Sequence, residues 1–339
     1  MKSGWWKALG VLLLLYVVIV GLRTPLAPAL VHLSEDKLPP GRNEVVVAGY
    51  NTRFTADAPQ AWLQNDAQFV CATAATAERD DRLRVVFDVP DGLRRDLSHL
   101  VVRSNGRTLV FHDAFWNPAK GAGIANAGCA PPVEDTAGPF EFPDRSVLYE
   151  TIRNLFFHVP MWFTMMWLMT LSLLHSIRTL RNNDLEHDRA AVSAVSTGLL
   201  FAFLGLITGS LWARNTWGTW WTSDPQLNGA AAVTLIYLAY LVLRGSVNEF
   251  DKRSRLAAIY NIFAYALMIV FFLVLPRLTD SLHPGKGGNP AFSQYDLDHH
   301  LRTVFYPAVA GWVLVGTWLY TLRRRARRIE AWLDEEPSA

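Results

Sequence analysis

The sequence predicts an all-α polytopic membrane protein of six transmembrane helices, with a small extracytoplasmic β-rich, sandwich-like domain inserted after the first helix. Three observations lead there. Hydrophobic residues make up 51% of the 339, and they gather in long uncharged blocks rather than scattering. Between the first two blocks lies a polar region of short β-branched runs. Basic residues concentrate in alternate connections between the blocks, an asymmetry that a net charge of +2 conceals.

A bilayer core about 30 Å thick needs about 20 mostly apolar residues as helix. The first block, Trp5–Leu22, has Lys2 and Lys7 at its start. It is short enough for a signal peptide, and Ala27-Pro28-Ala29 loosely resembles a cleavage site. Its twin tryptophans suit an interfacial anchor, so residues 1–30 are read as a retained N-terminal transmembrane anchor. Residues 31–147 are read as the β-rich domain and its linker. Glu44–Tyr50, Ala67–Ala72, Leu83–Val89 and Leu100–Phe111 have strand character, separated by turn signals such as Asp91-Gly92 and Asn105-Gly106. Asn105-Gly106, between Val101-Val102-Arg103 and Thr108-Leu109-Val110, predicts a hairpin. Residues 117–146, rich in Pro, Gly and Ala, predict a linker. Five further spans follow at about 152–174, 191–211, 228–245, 257–276 and 303–321, inside a membrane domain of 148–322. None has a charge in its apolar middle. Residues 323–339 complete the chain as a cytoplasmic tail.

One alternate set of segments holds Lys2 and Lys7, then Arg178, Arg181 and Arg189, then Arg244, Lys252, Arg253 and Arg255, and ends on Arg323, Arg324, Arg325, Arg327 and Arg328. The two short loops of the opposite set hold only Arg214, Arg277, Lys286 and Arg302. Positive charge stays in the cytoplasm, so both chain ends are expected there. The β domain and the loops at 212–227 and 277–302 are expected outside. No RNA-reading signature accompanies the basic residues, which points to a lipid membrane rather than nucleic acid. The two cysteines, Cys71 and Cys129, form no CxxC, zinc pattern or CxxCH. A pair and two free thiols are both compatible with their placement.

The candidate chemistry lies in the outer loops. The first runs from Trp212 through Arg214, Trp217, Gly218, Trp220, Trp221 and Asp224 to Pro225. If helical, Trp217, Trp220, Trp221 and Asp224 recur at i, i+3, i+4 and i+7, placing three indoles on one face as an apolar platform. An interfacial aromatic belt explains the same tryptophans. Asp224-Pro225 also suits an N-cap and the first residue of the fourth span.

The stretch Trp217-Gly-Thr-Trp220-Trp221-Thr-Ser-Asp224-Pro-Gln-Leu227 resembles the tryptophan-rich signature of the CcmC/CcsA/CcmF haem-handling family, approximately W-G-x-W-W-x-W-D-x-R-L. Ser223 stands where the family has a tryptophan, and Gln226 where it has an arginine. The resemblance covers roughly residues 150–322. It leaves out the first span and the β domain, which the usual short members lack. It implies one histidine on each side of the motif as axial ligands of haem iron. His158, followed by Val159-Pro160, and His283, early in the loop after span five, match those positions. They are the expected metal ligands of haem b. Trp212, Trp217, Trp220, Trp221, Asp224 and Arg214 are expected to complete the binding site. Arg214 is preferred over Arg277, Lys286 and Arg302 as a propionate partner because it lies in the tryptophan loop. His299 and His300 fit better as the start of span six, capped by Asp296 or Asp298. No histidine lies in the middle of a span, whereas the synthases of the superfamily have an intramembrane pair. That favours the CcmC branch.

The resemblance implies haem held at the outer surface of a bacterial inner membrane and passed to a periplasmic haem chaperone, without turnover chemistry. Other cytochrome c maturation proteins and an ABC-type ATPase complex are the implied partners. No Walker A sequence is present, so ATPase activity would belong to a partner chain. A haem or small-molecule permease predicts polar groups at mid-depth, and these are sparse. A structural membrane subunit without haem is the third reading.

Overall fold

The computed structural model describes residues 4–335, apart from 94–95, 118–129, 131, 133–134, 136–137, 146–147, 280 and 284–296. The chain folds as two compact units, Met1–Arg23 with Glu150–Ala339, and Thr24–Tyr149.

Among the described residues, six helices of the first unit are long and apolar enough to cross a membrane. Helix α1 is Trp5–Arg23. A 3₁₀ segment, Tyr149–Phe156, leads into α2, His158–Asn182. Then come α3, Leu185–Thr216, and α4, Pro225–Ser246. Helix α5, Phe250–Ile269, continues through a π-helical turn, Val270–Val274, into Leu275–Leu278. Helix α6 is His299–Glu335. Each expected span falls within one of these, and the helices overrun the apolar stretches. Hydropathy stops at the first charges, but arginine is a good helix former, so α6 continues through Arg323–Arg328.

The ends follow local chemistry. Asn183, in the left-handed region at φ 51°, closes α2, and the Asp184 side chain accepts the Glu186 amide to open α3. Asp298 caps α6 by accepting the Leu301 amide at 2.7 Å. His299 is the first residue of that helix, as expected.

Packing within the unit uses small residues and buried polar contacts. Helix α1 lies against α6 through paired glycines. A Cβ on Gly10 would stand 3.0 Å from Leu314 Cβ, and one on Gly311 would stand 2.9 Å from Leu14 Cδ2. The buried Asn261 of α5 donates to Ser172 and Ser176 of α2, each at 2.7 Å. Leu12, Ile19, Phe203, Ile207, Val242 and Phe263 are exposed on the helices, as a lipid-facing surface requires.

The second unit holds two four-stranded antiparallel sheets. The strands are β1, Ala29–Leu33; β2, Gly41–Tyr50; β3, Gln60–Asn65; β4, Gln68–Cys71; β5, Ala74–Arg79; β6, Arg82–Val89; β7, Leu97–Ser104; and β8, Arg107–Trp116. Sheet order is β1-β2-β6-β5 in one and β4-β3-β7-β8 in the other. Val45, Val47, Leu83, Val85 and Phe87 of the first share one core with Leu63, Leu100, Val102 and Phe115 of the second. The Asn105-Gly106 hairpin forms, with φ of 52° and 71° at its two turn residues. Sequence reading missed β1, β3 and β5. The last is an alanine-rich edge strand whose residues are mostly exposed, so it lacks the alternation that marks a half-buried strand. Cys71 is disulfide-bonded. Cys129, the only other cysteine, and most of the expected linker lie outside the described residues.

Candidate functional site

The first turn of α2 carries His158 against α3. Its Nδ1 lies 3.1 Å from the Gly205 carbonyl oxygen and 3.1 Å from Thr208 Oγ1. A carbonyl only accepts, so the bond to Gly205 puts the proton on Nδ1 and leaves the lone pair on Nε2. The Thr208 hydroxyl spends its own hydrogen on the Leu204 carbonyl, at 2.8 Å, so it too can accept. Gly209 makes room for the ring: a Cβ there would stand 2.7 Å from His158 Cε1. Trp212 and Trp162 meet the imidazole edge-on, with centroids 5.8 and 6.2 Å away. Trp212 is tethered in turn by its Nε1 donating to Thr151 Oγ1 at 3.1 Å.

His283 is held in the same manner. Its Nδ1 is 3.1 Å from Asp224 Oδ1, and a carboxylate again selects the Nδ1–H tautomer. Asp224 is buried and serves two elements at once. It caps α4 by accepting the Gln226 amide at 2.8 Å, and it accepts Ser281 Oγ at 2.9 Å and the Leu282 amide at 2.6 Å. Burial opposes its charge, but the Leu282 and Ser281 donors and the neighbouring His283 hold its pKa below the usual value. Burial also lowers the His283 pKa, against the pull of Asp224, which favours the neutral imidazole a metal ligand requires. Trp217 stands edge-on to His283, with centroids 5.3 Å apart. Among the described residues, no hydrogen bond occupies Nε2 of either ring.

The tryptophan stretch is not helical, which corrects the expected shared face. Helix α3 ends at Thr216, Trp217 is its C-cap, and regular structure resumes only at Pro225. Gly218 turns the chain with φ of 75°, and Asp224 is extended ahead of its proline, at φ −62° and ψ 133°. Trp217 therefore turns to His283, whereas Trp220 and Trp221 are 56% and 40% exposed. Trp221 Nε1 donates to Asn228 Oδ1 at 3.2 Å. The exposed Arg214 donates through Nη1 to the Gly218 carbonyl, bracing the turn.

The structure thus assembles His158 with Trp212, and His283 with Trp217 and Asp224. Trp220, Trp221 and Arg214 occupy the connecting loop. Arg277 caps its own helix through the Leu273 carbonyl at 3.2 Å, and Lys286 lies outside the described residues. Sequence reasoning missed Trp162, Thr208, Gly209 and Ser281. Trp162 was within reach, because it follows His158 by one helical turn. Thr208 and Gly209 come from α3, far from His158 in sequence, and Ser281, two residues before His283, belongs to no pattern that marks it.

These features define a polytopic membrane protein carrying two imidazoles, each held through Nδ1, beside a tryptophan-rich loop. A family profile described as heme exporter protein C matches residues 136–332, more than half of the chain. The chain belongs to that CcmC-type family of cytochrome c assembly proteins. It is 34% identical over 133 residues to the heme exporter protein C of Bradyrhizobium diazoefficiens, covering 39% of this chain and 51% of that one. With the Paracoccus denitrificans heme exporter protein C it shares 29% identity over 197 residues, covering 56% and 80%. A cytochrome c biogenesis protein CcsA of Prochlorococcus marinus is 33% identical over 110 residues, covering 32% and 33%.

Proposed function

We propose that this protein handles haem during cytochrome c maturation, holding it through His158 and His283 and passing it on. One observation carries the reading. Each ring is fixed through Nδ1–H to a protein acceptor, so that each offers Nε2 as a ligand, the arrangement usual for metal-bound histidine. The donor set fits haem iron, which accepts two axial imidazoles, and the indoles of Trp212 and Trp217 offer the apolar macrocycle contact area. Trp220 and Trp221 extend that apolar surface. Arg214 uses one donor on Gly218, and the rest of its guanidinium remains for a propionate.

Haem is cargo here, bound as haem b without covalent attachment, and the protein carries out no turnover chemistry. The chain's part is to orient two neutral imidazoles, supply an aromatic contact and keep the iron's ligands deprotonated. The site faces the periplasm from a bacterial inner membrane, and the β unit lies on the same side, as the arginine distribution supports. A periplasmic haem chaperone receives the cargo, alongside other maturation proteins and an ABC-type ATPase complex. The similarity to heme exporter protein C and to cytochrome c biogenesis protein CcsA supports the role in cytochrome c maturation.

The test is complementation of a cell lacking its own family member. The wild-type chain is expected to restore membrane-anchored and periplasmic c-type cytochromes, while His158→Ala and His283→Ala fail at equal protein level. Full restoration by the double variant contradicts the assignment.

A further inference from the structure

A cavity of about 270 Å³ lies between α3, α4, α5 and α6, lined by Val192, Leu241, Arg244, Gly245, Arg253 and Arg327. Its place on α3 is near Asp188 and Val192, about 30 Å along the helix from Gly209 at 1.5 Å per residue. It is therefore separate from the histidine site. Among the described residues, three guanidiniums and no carboxylate line it.

The three arginines are not equivalent. Arg244 is neutralised by Asp188 in a two-pronged pair, at 2.5 and 2.7 Å, and forms a fixed wall. Arg253 stacks on the Phe250 ring with its guanidinium carbon 4.4 Å from the centroid, and no described side chain forms an ion pair with it. Arg327 has a buried Nε with no hydrogen-bond partner among the described residues. On the same helix Arg323 adds positive charge near Arg327, and Glu330 opposes it. Two cationic forks thus remain to be matched, and a buried guanidinium donor without an acceptor is costly.

We propose that this cavity binds a phosphate group, with Arg253 and Arg327 as its ligands and the Arg244–Asp188 pair as its wall. Guanidinium forks match phosphate oxygens in pairs, and basic pockets between membrane helices bind anionic headgroups. The volume exceeds that of a phosphate, and Val192 and Leu241 add an apolar side. A lipid headgroup or a soluble phosphate compound supplies the same chemistry.

The test is calorimetric titration of the detergent-solubilised full chain. The probes are dihexanoyl phosphatidylglycerol, dihexanoyl phosphatidylcholine and inorganic phosphate. Wild type is expected to bind the anionic lipid, with the Arg253→Gln/Arg327→Gln variant at least tenfold weaker. Arg255→Gln, which removes an exposed charge from the same helix, is expected to bind as wild type does. Tighter binding of the anionic lipid than of inorganic phosphate identifies a headgroup site, and equal binding identifies a soluble phosphate site. The single variant Arg327→Lys keeps the charge and loses the fork, so it is expected to weaken binding several-fold even where the double variant fails to fold. The proposal is overturned when neither anionic probe binds wild type, when phosphatidylcholine binds as tightly as phosphatidylglycerol, or when Arg327→Lys retains full affinity.

Discussion

At the scale of single residues, the site depends on which nitrogen of each imidazole is spoken for. Asp224 links that choice to the fold, since one carboxylate caps α4, ties the Ser281-Leu282 backbone and orients His283. Asn caps helices as well as Asp, so Asp224→Asn is expected to leave α4 intact. Loss of a charged partner behind a metal-ligating histidine costs about 10- to 100-fold in affinity, and a haem titration is expected to show that loss. Gly209→Ala makes a complementary test. Alanine favours helix by about 1 kcal/mol over glycine, but its Cβ would stand 2.7 Å from the His158 ring. We expect normal expression and thermal stability with several-fold lower haem occupancy; unchanged occupancy would show that His158 is free to shift. His158 and His283 were legible from their neighbours in the chain and from the motif between them. The Nδ1 partner of His283, Asp224, was legible in the motif, but those of His158 were not, because Gly205 and Thr208 of α3 have no sequence mark that sets them apart from other small helix residues.

At the scale of elements, the tryptophan loop shows why periodicity alone misleads. Indoles at i, i+3 and i+4 predict a helical face only where the backbone is helical, and Gly218 and Pro225 interrupt it. The consequence is an order of importance among the tryptophans. Trp217 packs on His283, so Trp217→Ala is expected to weaken haem binding up to about tenfold, given 0.5–1.5 kcal/mol for an aromatic pair beyond burial. Trp220→Ala, which removes an exposed ring, is expected to change affinity less and insertion or expression more. Equal losses at the two positions, measured on monodisperse protein, would restore the idea of a common platform. The α3–α4 packing makes a stability prediction of its own. Asp188→Ala strands the Arg244 charge, and removing one partner of a buried ion pair costs about 3–5 kcal/mol. Thermal unfolding in detergent is expected to show a clear drop, while Arg244 and Asp188 replaced together by apolar residues recover most of it.

At the scale of the whole molecule, six spans were readable because membrane helices carry their signal in composition, and all six lie within observed helices. The β unit was readable only where strands were β-branched or joined by Asn-Gly; the edge strands β1 and β5 and the interior strand β3 were silent. The membership of α1 in the helical bundle was also hidden, since Gly10 and Gly311 meet only when α1 folds back on α6. Orientation makes a prediction at this scale. A cysteine introduced at Thr219 is expected to react with an impermeant thiol reagent outside intact cells, and one at Asn183 is not; the reverse pattern would invert the topology. The central claim is ligation of haem iron by the two Nε2 atoms, and absorption spectroscopy of purified, haem-loaded protein tests it most directly. We predict that His158→Ala and His283→Ala each change the axial-ligand spectrum or lower occupancy, that the double variant loses specific binding, and that His299→Ala leaves the spectrum unchanged. A double variant with the wild-type spectrum at wild-type occupancy would contradict the account.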